Sequence, residues 1–395
     1  MTRRYQGLYA YAWDLADEGL ETVLARVRPT GINTITLAAS YHAGKFLRPH
    51  GAGGKVYFPK DGTVYFAARP ERYGHIKPIV NPLVEDFDAF ALLEQQAPDL
   101  DRVAWVVCCH NTPLGEQYPE FTSRNAFGDP YPYSLCPAHP AVRDYVVNLC
   151  ADLADRHDLA GLALETPGWL PYDHGFHHEF ALLPLDRWAK TLLALCFADS
   201  TRSAARAAGI DADRLQARTR ELLERYLSTD LAVPDALATE WWLADVVGDP
   251  EFAAFLHWRC RVAADLVTAV KAALPAPTRL AVIPTVQRPP ATCWLEGSDL
   301  ALLARAADAL ELPAYQPSAE EVFLSAWDAR RRAGEAATLN FILRPSFSDL
   351  ANGAETVEAV RRLKEVGMAG IAFYNYGHLR LASLEHIKGA LTALG

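Results

Sequence analysis

Eight short apolar runs of strand length alternate with stretches of helical periodicity from one end of this chain to the other. The runs are Gly7–Trp13, Asn33–Ser40, Val103–His110, Gly161–Glu165, Leu280–Pro284, Ala309–Pro313, Thr338–Arg344 and Gly370–Tyr376. Helical patterns occupy Gly19–Arg28, Val84–Gln96, Ala141–Arg156, Phe252–Leu274, Leu300–Ala307, Ala319–Ala333, Ala354–Val366 and Leu384–Leu394. Strands separated by helices form parallel sheets, because a parallel partner is reached only by a crossover. Eight such units predict an α/β fold of the closed (β/α)8 TIM-barrel type. A doubly wound open sheet is the alternative, but no Gly-rich dinucleotide turn follows the first run. The 395 residues, half of them hydrophobic, suffice for one barrel domain spanning 1–395 with insertions.

Two insertions break the rhythm, at about 41–82 after the second strand and 169–249 after the fourth. The first is rich in Gly, Pro, Lys and Tyr. Its β-prone pieces Lys55–Pro59 and Thr63–Ala67 flank Lys60-Asp61-Gly62, a pattern that predicts a hairpin. The second joins a loop dense in His and aromatic residues to helical stretches at Leu185–Cys196 and Asp211–Tyr226. Long irregular segments of this kind are usually functional.

Composition narrows the function classes. Net charge is −10, with 38 Lys+Arg against 48 Asp+Glu, and no basic run offers a nucleic-acid surface. No apolar stretch approaches the ~20 residues of a membrane span. The first residues carry no signal-peptide pattern, so a cytoplasmic location is expected. The seven cysteines lack a C-x-x-C spacing and read as buried free thiols in a reducing compartment. An oligomer is possible.

Catalytic groups of such barrels come from the C-terminal ends of the strands. The fourth run, Gly161-Leu162-Ala163-Leu164-Glu165, places Gly161, Ala163 and Glu165 on one face, so a small-residue face ends in a carboxyl. Glu311 shares the inward face of the sixth run with Pro313. Glycoside cleavage needs two carboxyl groups flanking one bond, polar groups for hydroxyls and aromatic faces for sugar rings. Glu165 and Glu311 are therefore the catalytic candidates, with Asp14 as the substitute partner. Candidate substrate-binding residues are Trp13, Asp14, Tyr41, His42, His110, Asn111, Trp169, Tyr172, Asp173, His174, His177, Tyr315, Arg344, Tyr374 and Asn375. His110 is read on the inward face Ala104, Val106, Cys108, His110 of the third run. Arg344 can bind an anion or hold a carboxylate ionised.

The segment Tyr172-Asp173-His174-Gly175-Phe176-His177-His178-Glu179 also admits a metal, with His110, Asp173, His174 and His177 as the ligand pool. No cofactor is required by the leading reading; zinc or another divalent metal belongs to the alternative, a lyase, isomerase or hydrolase. A non-catalytic carbohydrate-binding barrel is the third reading.

With these residues in hand, the chain resembles uncharacterised bacterial TIM-barrel glycoside hydrolase-like proteins. The likeness rests on the Leu164-Glu165 strand end, the Tyr172–His178 loop, Leu195-Cys196-Phe197, the helix Phe252–Trp258 leading to Arg259, and Gly370–Tyr376. It implies a barrel that hydrolyses a small glycoside or oligosaccharide. The retaining glycosidases that carry Asn-Glu on strand four and Glu on strand seven differ, since Leu164 precedes Glu165 and the seventh run ends in Arg344. Acids on strands four and six are more similar to the α-galactosidase arrangement, which implies Glu165 as nucleophile and Glu311 as acid/base.

Overall fold

The computed structural model describes residues 3–395 except 177 and 347. Eight parallel strands close into a barrel: β1 (Gln6–Ala10), β2 (Thr34–Tyr41), β3 (Asp101–Val107), β4 (Gly161–Glu165), β5 (Arg279–Ile283), β6 (Ala309–Pro313), β7 (Leu339–Leu343) and β8 (Gly370–Phe373). Each strand pairs with its neighbours in sequence, and β8 returns to β1 through Gly7↔Ala372, which closes the ring. The expected (β/α)8 barrel is the observed fold.

Local chemistry sets the outer helices. Ser318 begins Ala319–Ala333 by accepting from the Glu321 N–H, and Asn352 does the same for Gly353–Glu365 through the Glu355 N–H. These caps satisfy orphan donors of the first turn. Leu162, Leu164, Leu310 and Leu312 point outward from their strands and are fully buried under that helical ring.

The inside is filled by a division of labour. Strands β1, β4 and β8 offer small inward residues, Gly7, Gly161, Ala163, Gly370 and Ala372, and large rings occupy the space they leave. Tyr5 lies under the barrel floor so tightly that a Cβ on Gly7 would fall 2.5 Å from its hydroxyl. Trp105 fills the middle. Its register with Ala163 places it on the inward face, and its ring sits within 6 Å of those of Tyr9, Tyr11, Tyr41 and Tyr374. This overturns the expected inward face of β3: Val103, Trp105 and Val107 point in, and Ala104 and Val106 point out. Both faces of the run are apolar, so periodicity could not choose between them.

The first insertion differs from expectation. Val56–Tyr57 pairs with Phe46–Leu47, whereas Thr63–Val64 joins the end of β2 and the segment Ile79–Val80. Lys60-Asp61-Gly62 is therefore a corner between two sheets, not a hairpin tip. The third βα connection, for which no element is expected from the sequence, holds a helix at Thr112–Gln117 and an antiparallel pair, Thr122–Arg124 with Pro130–Leu135. The second insertion contains helices Arg187–Ala194, Asp199–Ala207, Ala212–Leu227 and Asp235–Gly248. Trp188, Leu192, Leu215, Leu223, Phe252 and Phe255 give it an apolar core of its own against the long helix Pro250–Ala273. No helix among the described residues is long and apolar enough to cross a membrane. All seven cysteines are buried and unbridged.

Candidate active site

The end of β4 delivers Glu165 to the barrel mouth. The residue is buried at 7% exposure, and its Oε2 accepts the Trp105 indole N–H at 2.5 Å. Burial drives its pKa up to about 7, and the Trp105 hydrogen bond pulls the other way by favouring the anion. Tyrosines surround it. The Tyr11 hydroxyl donates to that of Tyr41 at 2.9 Å and lies 2.8 Å from that of Tyr374. Burial, and then neighbouring charges that include Glu165, keep Tyr41, Tyr315 and Tyr374 neutral.

Glu296 is a second buried acid that feels the charge of Glu165, and sequence reasoning missed it. It ends the short helix Pro290–Glu296 in the connection after β5 and is 3% exposed. Its carboxylate accepts from the Thr285 hydroxyl, and its backbone carbonyl accepts the Trp169 N–H at 3.0 Å, which ties it to the chain leaving Glu165. Burial lifts its pKa to about 8, and the charge of Glu165 adds to the rise. The only sequence signal was an acid and Gly297 closing an otherwise apolar Cys293-Trp294-Leu295 run.

Glu311 points inward as expected but not to the mouth. It is the middle residue of β6, and Pro313 holds the inward position at the upper end. Its Oε1 accepts the Tyr5 hydroxyl at 2.6 Å, and that hydroxyl also lies 3.0 Å from Thr36 Oγ1. Tyr5 precedes β1, so this partner comes from the floor of the barrel. Burial raises the Glu311 pKa to about 7 against the opposing hydroxyls of Tyr5 and Tyr9. Alternation along a strand fixes the face of a side chain but not its height, which is why Glu311 read as a rim acid.

The other candidates divide into those at the mouth and those tied up in structure. Asp14 is fully buried against Arg48, with Nε at 2.8 Å from Oδ1, so it anchors the first insertion. Burial outweighs that partner and raises its pKa to about 7. Trp13 stacks on Tyr11 at 4.1 Å and packs against Tyr57. Trp169 is 1% exposed beneath the Arg259 guanidinium, 4.7 Å from its ring centroid, and offers no open face for a sugar. Asn111 caps the helix Thr112–Gln117 and donates to Gly62 O at 3.0 Å. Asn375 is fully buried and accepts the Gly377 N–H in a turn. Arg344 pairs with Asp349 rather than with Glu165 or Glu311, and it lies 4.0 Å over the Tyr315 ring. Arg288 reaches the same Asp349 at 3.0 Å.

Beside the mouth runs a cleft of ≈ 150 Å³, with Tyr172, Asp173, Arg187, Lys190, Gln287 and Arg288 among its lining residues. Asp173 is held there by Lys190 at 3.0 Å. His42, His110 and His174, from the connections after β2, β3 and β4, converge on one another at the same end of the barrel. His177 lies outside the described residues.

With this geometry in view, comparison with solved structures is informative about the scaffold. The chain shares its fold with the PgaB (BpsB) glycoside hydrolase domain from Bordetella bronchiseptica. The superposition has a TM-score of 0.61 at 14% identity and covers 98% of this chain and 99% of that one. A class V chitinase from Pseudomonas fluorescens Pf-5 aligns over 98% of this chain and 100% of its own, with 11% identity and a TM-score of 0.48. No protein-family model matches the sequence, and no curated protein does.

Proposed function

We propose that the protein is a glycoside hydrolase acting on a small glycoside or oligosaccharide, with Glu165 and Glu296 as the working carboxyl pair. One observation carries this reading. Two buried acids, Glu165 at the end of β4 and Glu296 in the connection after β5, sense each other electrostatically, and the charge on Glu165 adds to the burial that raises the pKa of Glu296. Glu165, raised to about 7, and Glu296, raised to about 8, let one ionised and one protonated carboxyl coexist near neutrality. Glycosidic cleavage requires that state, one carboxylate to attack or to activate water and one acid to protonate the leaving oxygen.

The roles follow from the environments. Trp105 donates to Glu165 and stabilises its anion, which suits the nucleophile or base. Glu296, pushed to about 8, keeps the proton and is the acid. Tyr41, Tyr374 and Tyr315 supply a wall with hydroxyls at its edge, suited to the apolar face and polar rim of a sugar. Tyr172, Asp173 and Gln287 in the adjoining cleft extend the site toward further sugar units. Glu311, sealed beneath by Tyr5, supports the barrel and takes no part in the chemistry.

A screen of aryl α- and β-glycosides, read by aryl alcohol release and by the anomer of the first product, tests the proposal. Turnover of at least one aryl glycoside that vanishes in Glu165→Gln supports it. Saturable sugar binding with no turnover across the screen would instead favour a carbohydrate-binding barrel.

A further inference from the structure

We propose that His42, His110 and His174 form a three-histidine site for a divalent transition metal of the zinc type, at the margin of the barrel mouth. One ring nitrogen of each lies within 4.8 Å of the others. Zinc bound to imidazole at 2.0–2.1 Å in a tetrahedron sets its ligand nitrogens about 3.3 Å apart. The cluster thus needs a closure of at most about 1.5 Å, together with a turn of the His42 and His110 rings, which are stacked at 4.2 Å and 16°, to bring their lone pairs onto one ion.

Three features beyond proximity support the assignment. First, His42 Nδ1 lies 2.7 Å from the Ala43 carbonyl. A carbonyl only accepts, so Nδ1 carries the hydrogen and the lone pair of neutral His42 resides on Nε2. A ligand histidine typically donates its second nitrogen to a carbonyl in this way.

Second, one corner of the first insertion braces two ligands at once. Asp61 Oδ1 accepts the Ala43 N–H at 2.8 Å, and the Gly62 carbonyl accepts from the side chain of Asn111, the residue after His110. Gly62 has φ +64, and a Cβ there would fall 2.3 Å from Asn111 Oδ1, so the corner is built around a glycine. Third, Gly175 (φ +136) lets the His174 loop press on Tyr133, where a Cβ would meet the ring at 2.2 Å. The Tyr133 carbonyl in turn accepts the Asn111 N–H at 3.0 Å.

The donor set defines the metal class. Among the described residues the donors are three imidazoles with no carboxylate, which favours zinc, cobalt, nickel or copper over magnesium or calcium. A set of three protein ligands, the number found among the described residues, is the kind that leaves a position for water or a substrate oxygen. Of the residues expected to hold a metal, His110 and His174 remain, His42 enters from the second strand, and Asp173 is engaged by Lys190.

The test is direct binding, independent of any turnover. Chelator-stripped full-length protein is titrated with Co²⁺ and followed by visible absorption, then with Zn²⁺ in competition. The expected result is one equivalent with the intense bands of four-coordinate cobalt, displaced by zinc. His42→Ala and His174→Ala, each checked for folding by circular dichroism, should weaken binding by more than the ~10–100-fold typical of losing an outer-shell partner. Asp173→Ala should leave it unchanged. Absence of a stoichiometric cobalt complex in the parent protein, or a complex that survives both histidine substitutions, would overturn the proposal. Either outcome leaves the carboxyl-pair reading intact.

Discussion

The indole N–H of Trp105 meets the Glu165 carboxylate at 2.5 Å, across two adjacent barrel strands. Hydrogen bonds to ionised groups contribute about 1.5–3 kcal/mol, so the contact favours the charged form of a carboxyl that burial would otherwise neutralise. Trp105→Phe keeps the ring in the barrel interior and removes the donor. The Glu165 pKa then rises by about one unit. A group that must be ionised to act becomes limiting at higher pH, so the acid limb of the kcat/KM profile moves up by about that amount. A pH–rate profile of the variant checks this.

Glu296 is the proposed acid, and acid catalysis matters in proportion to how poor the leaving group is. Glu296→Gln should slow cleavage of alkyl glycosides by about 10²–10⁴-fold. Aryl glycosides with acidic nitrophenols should be much less affected. Parallel assays on the two substrate types separate this role from a structural one, which would slow both alike.

The three buried glutamates also predict how stability depends on pH. Burial raises Glu165 and Glu311 to about 7 and Glu296 to about 8, all above the ordinary glutamate value. The folded state then binds more protons than the unfolded chain between about pH 4.5 and 8. The stability these groups confer is complete below the unfolded value and is lost as pH rises through 7 to 8. Urea midpoints should fall across that interval. Glu311→Gln, which stays neutral, should flatten the fall, and its deficit against the parent should narrow as pH rises.

Asp14 and Arg48 form an ion pair in which both side chains are almost wholly buried. Removing one partner leaves an uncompensated buried group, at a cost of about 3–5 kcal/mol. Arg48→Met should therefore lower the urea-unfolding free energy by about that much, and the double variant Arg48→Met/Asp14→Leu should recover part of it.

Two aromatic residues from one loop should respond differently. Trp169→Ala removes a core ring and should cost about 3–5 kcal/mol of stability. Tyr172→Ala opens the cleft wall and should change KM with little effect on the melting transition. Thermal melts beside Michaelis constants distinguish them.

The barrel was legible because its signal is repeated: eight apolar runs, each followed by a helix, with few alternatives for closing them. Glu165 was legible because its strand combines a strict alternation with a terminal acid, which specifies face and height together. Glu311 shows the limit of the same logic. Its inward orientation followed from Leu310 and Leu312, but its depth depended on how β6 is staggered in the ring. Trp105 was hidden because a strand buried on both faces is apolar on both. Arg344 directly follows β7, but its partner Asp349 lies in a connection with no periodic pattern. Glu296 and the meeting of His42 with His110 and His174 depend on contacts between loops of different strands, and no local pattern encodes them.

The central claim is that Glu165 performs the chemistry while Glu311 supports the floor of the barrel. Measuring kcat on a cleaved glycoside for Glu165→Gln and Glu311→Gln, each verified as folded, tests it most directly. The account predicts a loss of about 10²–10⁴-fold or more for Glu165→Gln and a change of less than about tenfold for Glu311→Gln. Full activity in Glu165→Gln, or its abolition in a folded Glu311→Gln, would contradict the account.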